Sequence, residues 1–213
     1  MPTQPGVAPS VVCKLIRPFS LQLCLMFLAF PLSAQNTALT IPRNLVQLVD
    51  ESELIVQGTV TNVSLERHEQ LSNLMTVLVT LKVEDSLKGA STTVYTFRQA
   101  AIDGRDQQQL LGYRAGQHVL LLLIRPSAYG LSSPAGMQQG RFALRTLPDK
   151  SSEAVNGFGN GGLFRGIEAQ LAARGVQMRP EVSAMISQTK PGPAPLKELK
   201  SLIRSIAIPK RAQ

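Results

Sequence analysis

Cysteine, histidine and long apolar runs are scarce in this chain, and each shortage removes a class of function. The two cysteines are Cys13 and Cys24, and the histidines are His68 and His118. Both cysteines fall in a stretch that reads as a secretory leader. Lys14 and Arg17 form a basic flank, Leu21 to Phe30 is an apolar core broken by Gln22, and "PLSAQ" offers Ala34 as the last residue before the cut. Cleavage between Ala34 and Gln35 leaves a chain of roughly 180 residues without cysteine, large enough to bury a core unaided. Disulfides, thiol catalysis and thiolate metal sites are then excluded. The leader's apolar core is nearer ten residues than the ~20 of a membrane span, which favours cleavage over retention as an anchor. The expected location is therefore exported, periplasmic or extracellular.

Beyond the leader, the longest apolar run is Val119–Ile124, within "HVLLLLIR". It is far shorter than the ~20 residues needed to cross a bilayer, and Arg125-Pro126 closes it. Turn signals on both sides make it a strand. Being apolar on both faces, it belongs in the middle of a sheet, covered on both sides.

Several segments carry clear periodicity. "MTVLVTLKVED" places Met75, Val77, Val79, Leu81 and Val83 on one face and mostly polar residues on the other, as a half-buried strand requires. "LIVQGTVTNVSL" precedes it as a strand in which Gly58 signals a bulge or sharp coil. "TTVYTFR" and "RFALR" supply two more, the latter with Phe142 and Leu144 inward. Asn44 caps a short helix with Leu45, Leu48 and Val49 on one face. After Pro148 come a glycine-rich loop, "SSEAVNGFGNGG", and three helical patterns. The first runs from Leu163 through Phe164, Ile167 and Leu171 to a stop at Gly175. The second starts at Pro180 and aligns Val182, Met185 and Ile186, and the last aligns Leu196, Leu199, Leu202, Ile203 and Ile206. The fold class expected is mainly β with appended helices (α+β): a five-stranded OB-like barrel with short C-terminal helices packed on it. Residues 1–34 would be the signal peptide, 35–148 the barrel with its N-terminal helix, and 149–213 the loop and helical segment with a basic tail.

Candidate chemistry is sparse. "ERHEQLSN" holds His68-Glu69, but a zinc-protease helix needs histidine where Ser72 stands, so a polar turn is the better reading. His118 opens the buried strand and is read as structural. Ser132 in "GLSSPAG" is followed two residues on by Pro134, where a nucleophile elbow needs glycine. Gly157, Gly159 and Gly162 match a dinucleotide fingerprint, but "DKSSEAV" ahead of them is a poor strand, so a flexible surface loop is expected. No catalytic, metal-binding or cofactor-binding residue is assigned. One aromatic–basic group stays open: Tyr95 and Phe97 share a face of the third strand with Arg98 on the other, as core rings or as a ligand face.

The series "ESELIVQGTVTNV…VTLKVEDSLKG…GYRAGQHVLLLLIRP…GMQQGRFAL", over about residues 45–147, resembles a group of exported bacterial proteins with OB-fold-like barrels. At greater distance it is similar to the netrin-like domain of tissue inhibitors of metalloproteinases. The resemblance implies a barrel fold. It does not carry over the inhibitors' zinc-chelating cysteine chemistry, for which the mature chain has no residue, and a shared barrel fixes no function.

The formal charge of +8 is unevenly spread. Lys190, Lys197, Lys200, Arg204, Lys210 and Arg211 crowd the last residues against Glu198, and the body is nearly neutral. A solvated helix face is the plain reading. Attraction to an anionic envelope surface through Lys197, Lys200, Arg204, Lys210 and Arg211 is the alternative, and nucleic acid is not an expected partner. Three functions are weighed. The first is an exported, non-enzymatic binding or accessory module for an envelope protein or glycan. The second is a loop-based peptidase inhibitor, and the third an envelope hydrolase using carboxylates such as Glu66, Asp103 and Asp106.

Overall fold

A computed structural model describes residues 41–187 and 191–208. The expected leader, with Cys13, Cys24 and Ala34, and the tail cations Lys190, Lys210 and Arg211 lie outside the described residues. The chain enters through helix α1 (Leu45–Glu51), started by a capping box in which Asn44 accepts from the Gln47 amide and Gln47 accepts from the Asn44 amide. Its Leu45, Leu48 and Val49 are fully buried, as their spacing predicts.

Seven antiparallel strands follow: β1 (Ser52–Arg67), β2 (Met75–Lys88), β3 (Val94–Ala101), β4 (His118–Ile124), β5 (Arg141–Thr146), β6 (Ser152–Asn156) and β7 (Ala194–Pro195). They form one sheet in the order β3-β2-β1-β4-β5-β6-β7. A single helical turn, α2 (Gly104–Gln108), lies in the β3–β4 connection. Helices α3 (Ile167–Ala173), α4 (Pro180–Ile186) and α5 (Leu196–Ala207) follow β6.

The architecture is α+β, but the expected five-stranded barrel does not form. Closing it would require β3 to pair with β5. The outer edge of β5 is instead taken by β6, from Phe142 opposite Asn156 to Thr146 opposite Ser152. The free edge of β3 meets only the 127–134 loop, through a parallel bridge between Arg98 and Leu131. The β5–β6 hairpin also carries the sheet across the expected boundary at residue 148, and the described residues fall in one compact unit.

The apolar run Val119–Ile124 is a strand, β4, fourth of the seven in the sheet, as its two apolar faces predict. Leu120 and Leu122 point into a core shared with Phe142, Ile55 and helices α1, α3, α4 and α5. Val119, Leu121 and Leu123 point into a second core with Val56, Val60, Val77, Val79, Leu81 and Phe97. All five of these β4 side chains are at most 3% exposed. Each contributes about 1.5–3 kcal/mol by leaving water, which makes β4 the wall between the two cores. The second core draws both of its sides from the same sheet, and β1 accommodates this with register shifts at Ile55/Val56, Gln57/Gly58 and Val60/Asn62.

The β3–β4 connection adds a residue that periodicity does not single out. Tyr113 is 1% exposed, meets Phe97 edge-to-face at 5.8 Å, and lies under the Arg141 guanidinium at 4.5 Å. Burial pushes its hydroxyl up to about 12, against the opposing pull of Arg141.

Candidate functional site

The residues with the clearest chemical character turn out to be held by structural bonds. Phe97 is a core residue, Tyr95 is half-buried and stacked against it at 6.5 Å, and Arg98 faces the other side of the sheet. There Arg98 donates to Thr76 Oγ1 at 3.0 Å and pairs with Glu66 at 3.5 Å. The three therefore do not share one exposed surface.

Glu66, Asp103 and Asp106 are likewise occupied. Glu66 also accepts from Ser64, Asp103 caps α2 through the Asp106 amide, and Asp106 accepts from the Ile102 amide. Among the described residues, no hydrogen bond joins Glu66 to either aspartate. His68 is buried, accepts from the Gln70 and Leu71 amides at Nδ1, and donates from Nε2 to the Tyr129 carbonyl. This fixes its tautomer and makes it the clasp of the β1–β2 turn. His118 is mostly exposed, 3.1 Å from Thr59. Ser132 gives its proton to the Ile124 carbonyl.

The glycine-rich loop differs from its expected flexibility. A strand, β6, does precede it, but the amides of Gly157, Gly159 and Gly161 donate to the carbonyls of Gln138, Asn156 and Phe158. Two of the fingerprint's own amides, those of Gly157 and Gly159, are thereby engaged with the Gln138 and Asn156 carbonyls. The loop is fastened by buried amide side chains. Asn160 accepts from the Asn156 amide and donates to the carbonyls of Ala154 and Gly192, each at 2.9 Å. Asn156 in turn accepts from the amides of Phe158 and Asn160, and donates to the Gln139 carbonyl. Gln139 completes the hub by accepting from the Arg43 amide at 2.7 Å and donating to the Ile41 carbonyl at 3.2 Å. All three amides are under 8% exposed.

What the hub carries is apolar and exposed. Ile41, Met137 and Phe158 are 76%, 45% and 42% accessible, and each belongs to a segment tied to Gln139 or Asn156. Met137 sits at φ +60° and Asn160 at φ +61°, conformations that side-chain-bearing residues adopt only when the surroundings hold them there. Gly140 closes the turn where a Cβ would lie 2.5 Å from the Ala135 carbonyl oxygen. Buried polar groups thus fasten the turns from which these exposed apolar side chains project. Sequence reasoning noted the glycines of "NGFGNGG" but passed over Gln139, Asn156 and Asn160. An amide beside a glycine normally reads as a solvated turn.

No known protein family, curated protein or solved structure matches this chain. The resemblance to exported barrel proteins and to metalloproteinase inhibitors therefore rests on the residue pattern alone.

The basic stripe of α5 is partly consumed by the fold. Lys200 reaches Asp85 and Gln57, each at 2.5 Å, and Arg204 donates to both carboxylate oxygens of Asp85 at 2.6 and 2.8 Å. Lys200 and Arg204 thus pin the helix to β2, and Lys197 is the exposed member of the stripe without an ion-pair partner among the described residues. Burial works to raise the Asp85 carboxyl, but hydrogen bonds from Lys200 and Arg204 and their charges outweigh it and hold it below its usual 3.8. A carboxyl lowered by folding adds stability above its unfolded value, and the gain fades as pH falls through the folded one. Asp85→Asn is expected to lower Tm at pH 7 by roughly 3 °C, about 1 kcal/mol. Thermal melts from pH 7 to pH 3 should show the gap to wild type closing below about pH 4.

Proposed function

We propose that this chain is an exported, non-enzymatic accessory module that binds another protein through the loop platform of Ile41, Met137 and Phe158. The observation that carries this reading is the buried amide hub of Gln139, Asn156 and Asn160, which fastens the backbone of the Ile41 and Phe158 segments and of the turn beside Met137. Large exposed apolar residues on fixed turns match the anatomy of a protein interface, whose apolar centre contributes most of the affinity. Preorganisation adds to this, because little conformational freedom remains to be lost on binding.

The double variant Met137→Ser, Phe158→Ser tests it. Both side chains are exposed, so Tm should stay within about 3 °C of wild type. A photo-crosslinker at Phe158 should give a discrete protein adduct in the envelope fraction, and one at exposed Tyr129 should not. The double variant should lose binding to the protein identified in that adduct by at least tenfold. Equal crosslinking at both positions, or unchanged binding by the variant, sinks the reading.

The second reading is a loop-based peptidase inhibitor, favoured by the locked turn from Gly136 to Gly140, since an inserted inhibitory loop must resist deformation. It predicts inhibition of some metalloprotease by the purified chain and its loss in Met137→Ser. A broad panel showing no inhibition removes it.

A further inference from the structure

A cavity of about 630 Å³ lies between the turn that joins β5 to β6 and the first half of α5. Four cations reach it from two sides. Lys197, Lys200 and Arg204 recur at spacings of three and four, so they lie along one stripe of α5. Lys150 comes from the opposing turn, held at φ +67° by the hydrogen bond from its amide to the Leu147 carbonyl. Leu147, Pro195 and Leu196 supply apolar lining beside these charges.

The local charge does not cancel. Glu153 is matched by Arg145 at 2.7 Å, on the β5–β6 ladder. Asp85 faces Lys200 and Arg204 together, a single carboxylate between two cations. Glu198 is the remaining acid lining the cavity. Among the described residues, neither Lys150 nor Lys197 has an ion-pair partner. Four cations against Asp85 and Glu198 leave two positive charges facing a partly enclosed space with an apolar wall. Two lysines on opposite walls suit a compact, doubly charged anion, because ammonium groups bind phosphate as point charges without needing a fixed fork.

We infer that this groove binds a phosphate group, with the apolar wall of Leu147, Pro195 and Leu196 taking the carbon skeleton that bears it. The site is separate from the loop platform and shares no residue with it, so either can fail without the other. The phosphate has two sources, a soluble phosphate monoester and the headgroup of an anionic lipid. The basic stripe, which alone would suggest only diffuse attraction to an anionic surface, becomes one wall of a defined site.

The test is direct binding to the purified chain at fixed ionic strength. Glycerol 3-phosphate serves as the soluble probe, read by calorimetry. Vesicles with one-fifth phosphatidylglycerol, compared with neutral vesicles, serve as the membrane probe, read by co-sedimentation. The variant is Lys150→Glu, Lys197→Glu, which leaves the Lys200–Asp85–Arg204 clamp intact and should melt with wild type. At least one probe should bind wild type and lose tenfold or more of its affinity in the variant. Binding of glycerol 3-phosphate alone assigns a soluble ligand, and binding of anionic vesicles alone assigns a headgroup. The proposal is overturned if neither probe binds, if the variant binds as wild type does, or if chloride at equal ionic strength reproduces the effect. The Met137→Ser, Phe158→Ser protein should bind the phosphate probes normally, which keeps this result independent of the proposed protein partner.

Discussion

Gly58→Ala is expected to destabilise the protein by roughly 3 kcal/mol and lower Tm by about 9 °C, although it adds a single methyl group. A Cβ at this position would lie 2.3 Å from the Lys82 carbonyl oxygen and 3.2 Å from the Val83 Cα. Both are backbone atoms of β2, so no side-chain rotation relieves the clash. The strand cannot retreat either, because Gly58 pairs with Val83 on one side and with Val119 on the other. Relief would require β1 to part from β2 where the ladder already shifts register, between Gln57 and Gly58. The second core would open with it, since Val56 and Val60 flank the site and pack on Val79 and Leu81 in one cluster. Gly104→Ala is the control. Nothing lies within 4 Å of its added methyl, and alanine suits the helix it starts, so stability should hold or rise by up to about 1 kcal/mol. Equal melting of Gly58→Ala and wild type would mean that β1 and β2 do not approach this closely.

The same residue shows how far the sequence could be read. A glycine inside an apolar strand marks a bulge or a close backbone approach, and Gly58 is both. Strand β2 and helix α5 were legible for a related reason. Val77, Val79 and Leu81 at every second position, and Leu199, Ile203 and Ile206 at helical spacing, encode the buried face within the segment itself. Thr76 breaks that rule. It sits among the solvent-facing positions of β2 yet is fully buried, because Arg98 of β3 and the Glu66 carbonyl of β1 close over its hydroxyl.

Neighbour choice is less legible than face. "SEAVN" offers Ala154 as its one fully buried apolar residue, and it becomes β6 only because β5 presents an unpaired edge to it. That pairing, made outside the segment, also keeps the sheet from closing into the expected barrel. The candidate site follows the same logic at longer range. Gln139 bonds Arg43 and Ile41 across more than ninety residues of chain, and no local pattern announces such a contact. The hydrolase reading fails to gather support for the converse reason. Glu66, Asp103 and Asp106 look available in the sequence and are engaged in pairing and capping in the fold.

Asn160→Ala carries the other large effect, an expected loss of roughly 4 kcal/mol. The side chain accepts from one buried amide and donates to two carbonyls, Ala154 in the sheet and Gly192 beside β7. Alanine leaves the Asn156 amide and the Ala154 carbonyl without partners, and an unpaired buried group costs about 1–3 kcal/mol. It also places a Cβ-bearing residue without a local hydrogen bond at φ +61°, which adds roughly 1 kcal/mol. Asn160→Gly separates the two contributions. It loses the same hydrogen bonds but is at ease at positive φ, so it should be more stable than Asn160→Ala by about 1 kcal/mol and still well below wild type. The loss should also spread beyond stability. The Asn156 backbone amide loses its acceptor, the loop loses its ties to Ala154 and Gly192, and hydrogen exchange at the amides of Gly157, Gly159 and Gly161 should accelerate at least tenfold while β1 and β2 stay protected. Binding of the protein partner should then weaken in step with that exchange, because the platform would have to reorder at each encounter. A variant that melts early with Phe158-dependent binding at full strength would separate the hub from the platform and leave the exposed apolar residues without their proposed support.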